Sequence, residues 1–544
     1  MKDIFTAFQE TPDGIQAMKT DHPPQIRPAE ERPRGFAVTH KVAYVALAAL
    51  FSGALMFSPS MFQRGHSQTA QDPDPNLVGR LPFMGYNTWN AYHCDINASV
   101  VFDAAQLIKT LGLADVGYNR INIDDCYSLR ERNANGDLVE DPQRFPFGMK
   151  NLTAEISQLG LKSGIYSDAG WQTCGNFPGS YQNEARDIKL FQDWGFDFLK
   201  YDNCNVPFDD IVRENIIGRY TRMADAIADL AKTSGKPPMI LSLCEWGRAE
   251  PWLWGRTLGQ SWRTTGDIEP TWEAITAIIN QNSFYSWAAD FYGHNDMDIM
   301  EMYVQSKFIV FIDAYSGCMV HDLVLYFPVV VMATSRTTNP SPTLRPGRCS
   351  SLPCSSEPMY VLNLTAIAVA NISHAMQLHI ATNQTLEILS NKELIAINQD
   401  PVVGTAITPF LGGINPKWTF NDTHPSQYWS GRSENGTVFM LLNVLDHPAD
   451  MFFSLTESPW IRAGRQYAVR DLWTHTDNGT AVRNMTFHDV PAHGVVALLL
   501  TDAGDEPEGI WPPCARREWC MYENGTLADN APRTELGEPG LMMM

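Results

Sequence analysis

Basic residues are scarce in this sequence. The 544 residues include 40 lysines and arginines against 61 aspartates and glutamates, which gives a net charge of −21. A surface with that excess of negative charge repels a phosphate backbone, so nucleic acid is not expected as a partner. Only 19 per cent of the residues are charged and 44 per cent are hydrophobic. This balance excludes a disordered chain and predicts a globular protein of two or three domains.

The spacing of cysteine and histidine that marks a metal site is also missing. The ten cysteines form no CxxC pair, and His93 and His294 stand alone in their motifs. We therefore predict no metal and no cofactor. Four cysteines have the spacing of loop cysteines: Cys94, Cys126, Cys174 and Cys204. Disulfides formed in an oxidising compartment fit them best.

A long apolar run lies near the N-terminus, VAYVALAALFSGALMF at 42–57, behind a polar leader whose last basic residue is Lys41. A basic flank followed by an apolar stretch is typical of a secretory signal, which would end near SQTA at 67–70. We predict that residues 1–70 are a leader with such a signal and that the protein is secreted. The alternative is a signal anchor, because a run that continues to residue 62 approaches the ~20 residues that span a bilayer. Only in that case would the protein contact a membrane.

Glycosylation sequons agree with export. A single sequon is close to a chance match, but here they are numerous, which is compatible with a well-solvated, glycosylated surface. The acceptor residues are Asn97, Asn151, Asn363, Asn371, Asn383, Asn421, Asn435, Asn478, Asn484 and Asn524.

From residue 80, short apolar runs alternate with helical patterns. The runs are FMGYNTW (83–89), RINIDD (120–125), KSGIYSD (162–168), FLKYDN (198–203), MILSLCE (239–245), SWRTTGD (261–267) and DMDIM (296–300). Helical spacing, with apolar residues three and four apart, covers 100–117, 184–195 and 214–233. Such alternation predicts parallel β/α units, and many in succession predict a (β/α)8 TIM barrel, here at 71–403.

Acidic residues follow the predicted strands at their carboxyl ends. In a β/α barrel these ends converge on one mouth, where active sites lie. The run FLKYDNCN, for example, ends a buried strand with Lys200 and Asp202. We therefore predict that these residues share one pocket: Trp89, Asp124, Asp125, Asp168, Asp202, Glu245, Asp267 and Asp298.

A pocket of carboxylates with a tryptophan permits two kinds of chemistry. It could bind a divalent cation through oxygen ligands, or hydrolyse glycosides with one carboxylate as nucleophile and another as acid. The neighbouring residue types favour sugar chemistry. Trp89 can stack on a pyranose face, and Lys200 and Arg263 can donate to hydroxyls. Either cation near Asp202 would favour its ionised form.

Six motifs in order resemble one enzyme family. They are LPFMGYNTWNAY, NIDDCY, the long block from GIYSDAGW to KYDNCN, LSLCEWG, SWRTTGDI and HNDMDIMEM. Together they are similar to the α-galactosidases (melibiases) of glycoside hydrolase family 27. The similarity runs from about 80 to 302 and resumes at ATNQTLEILSNKELIAINQDPVV (381–403).

The resemblance implies a retaining hydrolase that removes terminal non-reducing α-D-galactosyl residues from galacto-oligosaccharides, galactomannans or galactolipids. In it, Asp202 would be the nucleophile and Asp267 the acid/base. The matching galactose contacts are Trp89, Asp124, Asp125, Tyr166, Lys200, Glu245, Arg263 and Asp298. The matching disulfides join Cys94 to Cys126 and Cys174 to Cys204.

Glu245 carries the expected selectivity for the sugar. In the family the residue after this cysteine faces the 2-position, where a glutamate can accept a hydrogen bond and occupy the volume of an acetamido group. The alternative is that Glu245 simply pairs with a cation such as Arg263.

Residues 303–380 do not follow the family pattern. They combine an apolar run at 323–333 with a stretch rich in Ser, Pro, Arg and Cys. Our hypothesis is that a misread or retained noncoding segment replaces the eighth barrel unit, which would leave an inactive or misfolded relative with an open sheet edge. The rival is a genuine insertion in which YVLNLTAIAVA (360–370) or LVLYFPVVVMA (323–333) supplies the missing strand.

The pattern of predicted secondary structure changes after residue 403. Short strands without intervening helices, TVFMLLNVLD, MFFSLT, QYAVRDLW and GVVALLLT, predict an antiparallel β-sandwich at 404–502. Residues 503–544 are acidic and contain proline, so we predict a tail in which Cys514 and Cys520 could pair.

Overall fold

The computed structural model describes residues 77–208, 213–269, 271–299, 383–508, 521 and 524–526, and the backbone of strands at 305–308, 323–326 and 372–374. The predicted leader with its apolar run, most of 303–380 and most of the predicted tail, with Cys514 and Cys520, lie outside the described residues. Within the described part, no helix combines the length and the apolarity needed to cross a membrane.

Parallel strands alternate with helices in the first domain, as the sequence predicts. The strands are β1 (Met84–Asn87), β2 (Arg120–Ile123), β3 (Lys162–Asp168), β4 (Phe198–Asp202), β5 (Ile240–Leu243), β6 (Ser261–Arg263) and β7 (His294–Asp296). The helices are α1 (Trp89–Tyr92), α2 (Ala98–Thr110), α3 (Met149–Gln158), α4 (Glu184–Trp194), α5 (Asn215–Ser234), α6 (Pro251–Trp254) and α7 (Trp272–Ser283). Short 3-10 turns occur at Ala114–Val116, Gly255–Thr257 and Ser286–Ala288. The last predicted run was wrong in position, because β7 begins before DMDIM and ends at Asp296.

Local sequence explains where the helices begin and end. Asn97 caps α2, since its side chain accepts from the backbone N–H of Val100 at 3.0 Å. The helical pattern predicted at 100–117 stops early because Gly112, just beyond the end of α2, takes a φ of +75°. Helix α4 ends in the same way at Gly195, where φ is +99°.

An eighth strand lies beside β1. Within 303–380 the structure places β8 (Gln305–Phe308), β9 (Leu323–Tyr326) and β10 (Ile372–His374). Strands β8 and β9 pair with each other in an antiparallel ribbon, whereas β10 runs parallel to β1 with Gly85 opposite Ser373. The sheet order is therefore β10-β1-β2-β3-β4-β5-β6-β7, which is the order of a (β/α)8 barrel. The strand comes from neither of the two expected stretches, since LVLYFPVVVMA contributes β9 and YVLNLTAIAVA ends before β10.

The second domain is an antiparallel β-sandwich. Two helices lead into it, α8 (Asn383–Leu389) and α9 (Lys392–Asn398). Its strands are β11 (Thr408–Leu411), β12 (Tyr428–Ser433), β13 (Gly436–Leu442), β14 (Ala449–Ser454), β15 (Arg465–Asp471), β16 (Thr476–Val482), β17 (Asn484–Val490) and β18 (Val495–Asp505), with a 3-10 turn at Leu455–Glu457. They are bonded in the order β11-β12-β13-β18-β15-β16-β17-β14. Strand β18 continues past residue 502, where the sequence placed the end of the sandwich.

Strand β13 joins the two domains because both of its faces are buried. Val438, Met440 and Leu442 belong to a core shared with helices α7 and α9. Phe439 and Leu441 point the other way, into the interior of the sandwich. Because successive side chains of a strand point to opposite faces, one face of β13 packs against the helices outside the barrel and the other fills the sandwich.

Candidate active site

Strand β4 explains why an apolar run ends in charged residues. Leu199 and Tyr201 are fully buried in the core between strands and helices. Phe198 and Lys200 alternate with them and line a pocket on the inside of the sheet. Asp202 continues this inward series at the carboxyl end of the strand, as expected for a barrel.

Three donors converge on Asp202. The Tyr166 hydroxyl donates to Oδ2 at 2.9 Å, while Trp246 Nε1 donates to Oδ1 at 3.0 Å. The backbone N–H of Asn203 also donates to Oδ1 at 2.9 Å. Burial raises the pKa of Asp202, and Lys200 and Tyr166 oppose that rise. The predicted influence of a nearby cation therefore has the right sign, but burial outweighs it.

Asp168 stands next to Asp202 in the register of β3 and β4. Its oxygens accept from the backbone N–H groups of Gly170 at 2.7 Å and Cys204 at 2.9 Å. Burial, and then the charge of Asp202, raise the pKa of Asp168 well above its usual range. A disulfide joins Cys174 to Cys204 beside the pair, so these sulfurs have no proton to donate and are not thiolate ligands.

Asp124 follows β2 directly and binds two side-chain donors. Lys200 Nζ is 2.9 Å from its Oδ2, and Asn87 Nδ2 donates to the same oxygen at 2.8 Å. Burial lowers the pKa of Lys200, but the charge of Asp124 and further anions outweigh it and raise the pKa overall. Trp89 begins α1 half-buried, with its backbone N–H bonded to Asn87 Oδ1 at 2.8 Å.

Asp125 is held by residues 173–179, which we call the pocket loop. The backbone N–H of Gly175 donates to Asp125 Oδ2 at 2.7 Å. Burial raises the pKa of Asp125, and the bond from Gly175 opposes the rise. Arg130 lies over the Phe177 ring at 4.0 Å and donates to the carbonyls of Gly175 at 2.8 Å and Asn176 at 3.0 Å.

Arg263, at the end of β6, binds two carboxylates. It contacts Asp267 at 3.0 Å and Asp298 at 3.0 Å. The side chain of Asp267 is 71 per cent exposed, whereas that of Asp298 is 6 per cent exposed. Asp298 also accepts from the backbone N–H of Ile268 at 2.7 Å, which ties the segment carrying Asp267 to the end of β7.

Glu245 is fully buried after β5, and neither of its carboxylate oxygens has a hydrogen-bond partner among the described residues. Burial raises the pKa of Glu245 well above its usual range. The predicted alternative, an ion pair with Arg263, is not formed: Arg263 binds Asp267 and Asp298, and its charge only opposes the rise in the pKa of Glu245. The next residue, Trp246, adopts a φ of +61°, and its indole N–H reaches Asp202.

A pocket runs along the inside of the sheet. The pocket shares Lys200, Arg263 and Asp298 with the carboxylate cluster and continues to Arg120 near the start of β2. The arrangement is therefore a buried polar site at the carboxyl ends of the strands, with one solvent-facing carboxylate, Asp267, at its edge.

Comparisons with known proteins identify the family. The model described as alpha galactosidase A matches residues 81–341, and that of the alpha galactosidase C-terminal beta sandwich domain matches residues 423–500. "Probable alpha-galactosidase B" of Aspergillus oryzae is 34% identical over 471 residues, which cover 79% of this chain and 95% of that protein. The chain belongs to the α-galactosidases of glycoside hydrolase family 27. An alpha-galactosidase of Oryza sativa is 33% identical over 432 residues, covering 78% of this chain and 86% of that protein.

The fold of this α-galactosidase also matches solved relatives. Alpha-galactosidase I from Mortierella vinacea is 29% identical with a TM-score of 0.60, and the match covers 79% of this chain and 100% of that chain. The predicted family, enzyme class, barrel and C-terminal sandwich are therefore confirmed. Both expected disulfides are present, Cys94 with Cys126 and Cys174 with Cys204.

The structure brings the predicted site residues to the carboxyl ends of β1 to β7, and their individual roles stay predictions. Two contributors were missed. Trp246 donates to Asp202, and its place in the CEW motif beside Glu245 was the available signal. Asn87, at the end of β1, donates to Asp124, directly after the neighbouring strand β2, and its place at a strand end was the available signal.

Proposed function

We propose that this enzyme is a secreted, retaining α-galactosidase that releases terminal non-reducing α-D-galactosyl residues by double displacement. The observation that carries the proposal is the contrast between Asp202 and Asp267. Asp202 is buried under three donors, whereas Asp267 is exposed on a segment tied to Arg263 and Asp298. A fixed carboxylate suits a nucleophile, and an accessible one suits a group that exchanges protons with the leaving group and with water.

The proposed reaction has two steps. In the first, Asp202 attacks the anomeric carbon while Asp267 gives its proton to the glycosidic oxygen, so the bond to the leaving group breaks and a galactosyl ester forms. In the second, Asp267 takes a proton from water, and the hydroxide displaces Asp202. Two inversions give net retention.

The remaining residues would bind galactose. Asp124 and Asp125 can accept hydrogen bonds from the axial 4-hydroxyl and the 6-hydroxyl, which would distinguish galactose from glucose. Trp89 would stack on the sugar. The polar contacts around it would be made by Tyr166, Lys200, Arg263 and Asp298. The substrate classes that fit are galacto-oligosaccharides, galactomannans and galactolipids.

Secretion is supported by the two disulfides and by the sequons. The competing proposal, an inactive relative, rests on residues 303–380, which do not follow the family motifs. The parallel strand β10 beside β1 argues for a working barrel instead.

Two measurements on the purified secreted protein test the proposal. Release of nitrophenol from an aryl α-galactoside separates an active enzyme from an inactive relative. Proton NMR of the first-formed sugar then reads the stereochemistry, and we expect α-galactose. A retaining mechanism also requires the carboxyl groups of Asp202 and Asp267 to be about 5 Å apart. Early β-galactose would contradict the retaining mechanism.

A further inference from the structure

Two exposed aromatic side chains, Trp418 and Phe420, pack on the half-buried ring of Phe284, and we call these three residues the aromatic platform. The ring of Phe284 lies 5.7 Å from that of Trp418 with 17° between the planes, and 6.0 Å from that of Phe420 with 23°. Trp418 is 40 per cent exposed and Phe420 59 per cent. The exposed Trp287 lies nearby, with its indole N–H donating to the carbonyl of Phe284 at 3.0 Å. A contiguous exposed apolar surface of this kind marks a contact site.

The platform is a fixed part of the fold. Trp418 adopts a φ of +44°, a left-handed conformation that is unfavourable for a tryptophan, and its indole N–H reaches Ser283 Oγ at 3.5 Å. The next turn of chain is tied to α7 by the buried Asn280. That side chain accepts from the backbone N–H of Asn421 at 3.1 Å and donates to Asp422 at 3.3 Å.

A glycosylation sequon, Asn421-Asp422-Thr423, follows Phe420 directly. The side-chain oxygen of Asn421 accepts from the N–H of Thr423 at 3.2 Å, from its hydroxyl at 2.9 Å and from the N–H of His424 at 3.2 Å. Its Nδ2, the atom that carries an N-glycan, has no hydrogen-bond partner in the described part of the chain, and the residue is half-exposed. By contrast, Nδ2 of the sequon residue Asn151 donates to Glu155 at 3.0 Å.

We propose that Asn421 carries an N-linked glycan whose first sugars lie on the aromatic platform. Asn421 Nδ2 forms the bond to the anomeric carbon of an N-acetylhexosamine, the bond from that carbon to the diphosphate of a lipid-linked donor breaks, and the amide loses one proton. The apolar face of a pyranose stacks on aromatic rings, and the glycan is attached at the residue that follows Phe420. The glycan thus covers apolar rings that water would otherwise contact. This inference rests on the proposed export, because the donor acts in the secretory pathway.

The test compares paired variants of the full chain secreted from a glycosylating eukaryotic host. Thr423→Ala destroys the sequon, whereas Thr423→Ser keeps it. Asn435→Gln removes a different exposed sequon, in the hairpin between β12 and β13, and is the control for glycan loss elsewhere. Peptide mass spectrometry reads occupancy at Asn421, and hydroxyl-radical footprinting reads the oxidation rates of Trp418 and Phe420.

We expect a glycan at Asn421 in the unmodified protein and oxidation of Trp418 and Phe420 that is several-fold faster in Thr423→Ala. Thr423→Ser and Asn435→Gln should oxidise like the unmodified protein. If Thr423→Ala is not secreted, enzymatic removal of glycans from the folded, secreted protein must give the same increase.

Four results would overturn the inference. An unmodified Asn421 beside a modified Asn435 refutes the site while the proposed export stands, and sequons that are all unmodified refute both. Equal oxidation rates of Trp418 and Phe420 with and without the glycan would show that its sugars do not lie on the platform. Slow oxidation in Thr423→Ala together with a dimer in sedimentation shows that a second copy, not a glycan, covers the platform.

Discussion

The individual carboxylates of this site are distinguished by what surrounds them rather than by residue type. Asp202, Asp168 and Glu245 are all buried, and burial raises the pKa of each. Of the three, only Asp202 has both a lysine two residues away, Lys200, and side-chain donors at other strand ends, Tyr166 and Trp246. Those donors favour its charged form and make it the best candidate for the nucleophile.

Tyr166→Phe tests this dependence. The hydroxyl of Tyr166 lowers the pKa of Asp202 against the rise caused by burial. Removing the donor should raise that pKa, so the acid limb of kcat/KM should move to higher pH by roughly one unit. Activity above the limb should change less. Tyr220→Phe is the control, because the buried Tyr220 hydroxyl has no hydrogen-bond partner in the described part of the chain. An unmoved acid limb in Tyr166→Phe would contradict the role.

The two proposed catalytic carboxylates should fail differently when replaced. Asp202→Ala removes the nucleophile and should abolish activity on every galactoside. Asp267→Ala removes the proton donor, which matters less when the leaving group is a nitrophenolate, so aryl substrates should be spared more than natural galactosides. Rates on both substrate types for both variants decide the matter. Equal losses in Asp267→Ala would refute its role as the acid.

Glu245 should select the sugar at its 2-position. A buried carboxyl whose oxygens have no hydrogen-bond partner in the described part of the chain is suited to bond a 2-hydroxyl, and its volume excludes an acetamido group. Discrimination by such a group can reach ~10⁴-fold. We expect strong preference for α-galactosides over α-N-acetylgalactosaminides, and a shift toward the latter in Glu245→Ser, measured as kcat/KM on both aryl substrates. Comparable values in the unmodified enzyme would exclude this function.

Among the structural elements, the pocket loop depends most on contacts made outside it. It is joined to β4 by the disulfide of Cys174 with Cys204, and it is held from the β2 side by Arg130 and Arg132. Arg132 donates to the carbonyl of Gly179 at 2.8 Å and pairs with the buried Asp187 at 2.6 Å. The loop in turn orients Asp125 through one backbone N–H.

Arg130→Ala should therefore weaken galactoside binding without touching the catalytic carboxylates. It frees the carbonyls of Gly175 and Asn176 and loosens the bond to Asp125, at a cost of about 1 kcal/mol, or roughly fivefold in KM, with a smaller change in kcat. Arg186→Ala is a matched control. That arginine also bonds a backbone carbonyl, that of Asn135, outside the pocket loop. A rise in KM of equal size in both variants would argue against a specific role for Arg130.

Across the whole molecule, barrel and sandwich share one core through β13. Met440 is fully buried in that core, so Met440→Ala should lower the free energy of unfolding by about 2–5 kcal/mol. Loss of activity and loss of circular dichroism should occur at the same denaturant concentration, because neither domain keeps its packing without the other. Phe452→Ala, at a residue 49 per cent exposed on β14, should change stability by only about 0.5 kcal/mol. Two separate transitions would contradict a shared core.

Sequence reasoning was most accurate where burial is continuous along the chain. Strand β3 runs from Lys162 to Asp168 as predicted, since an apolar run bounded by polar residues reflects the inner layer of the barrel. It was least accurate where strands are exposed. TDNGTAV of β16 contains five exposed residues in succession and carries no apolar alternation, so nothing in it predicts a strand. Strand β10 was also missed, because its position is set by pairing with the distant strand β1 rather than by a local pattern.

The amino-acid sequence by itself determined the β/α rhythm, the register of acidic strand ends, the family motifs and the change to antiparallel strands after residue 403. These features depend on neighbours within a few residues, and local patterns record them. Only the tertiary structure decided which donors reach Asp202, that the oxygens of Glu245 have no hydrogen-bond partner among the described residues, and that Arg263 pairs with Asp298 instead. Trp246 and Asp202 are 44 residues apart, and the folded sheet alone brings them within a hydrogen bond. Burial, which sets the pKa of each carboxyl, is likewise a property of the packed molecule rather than of any segment.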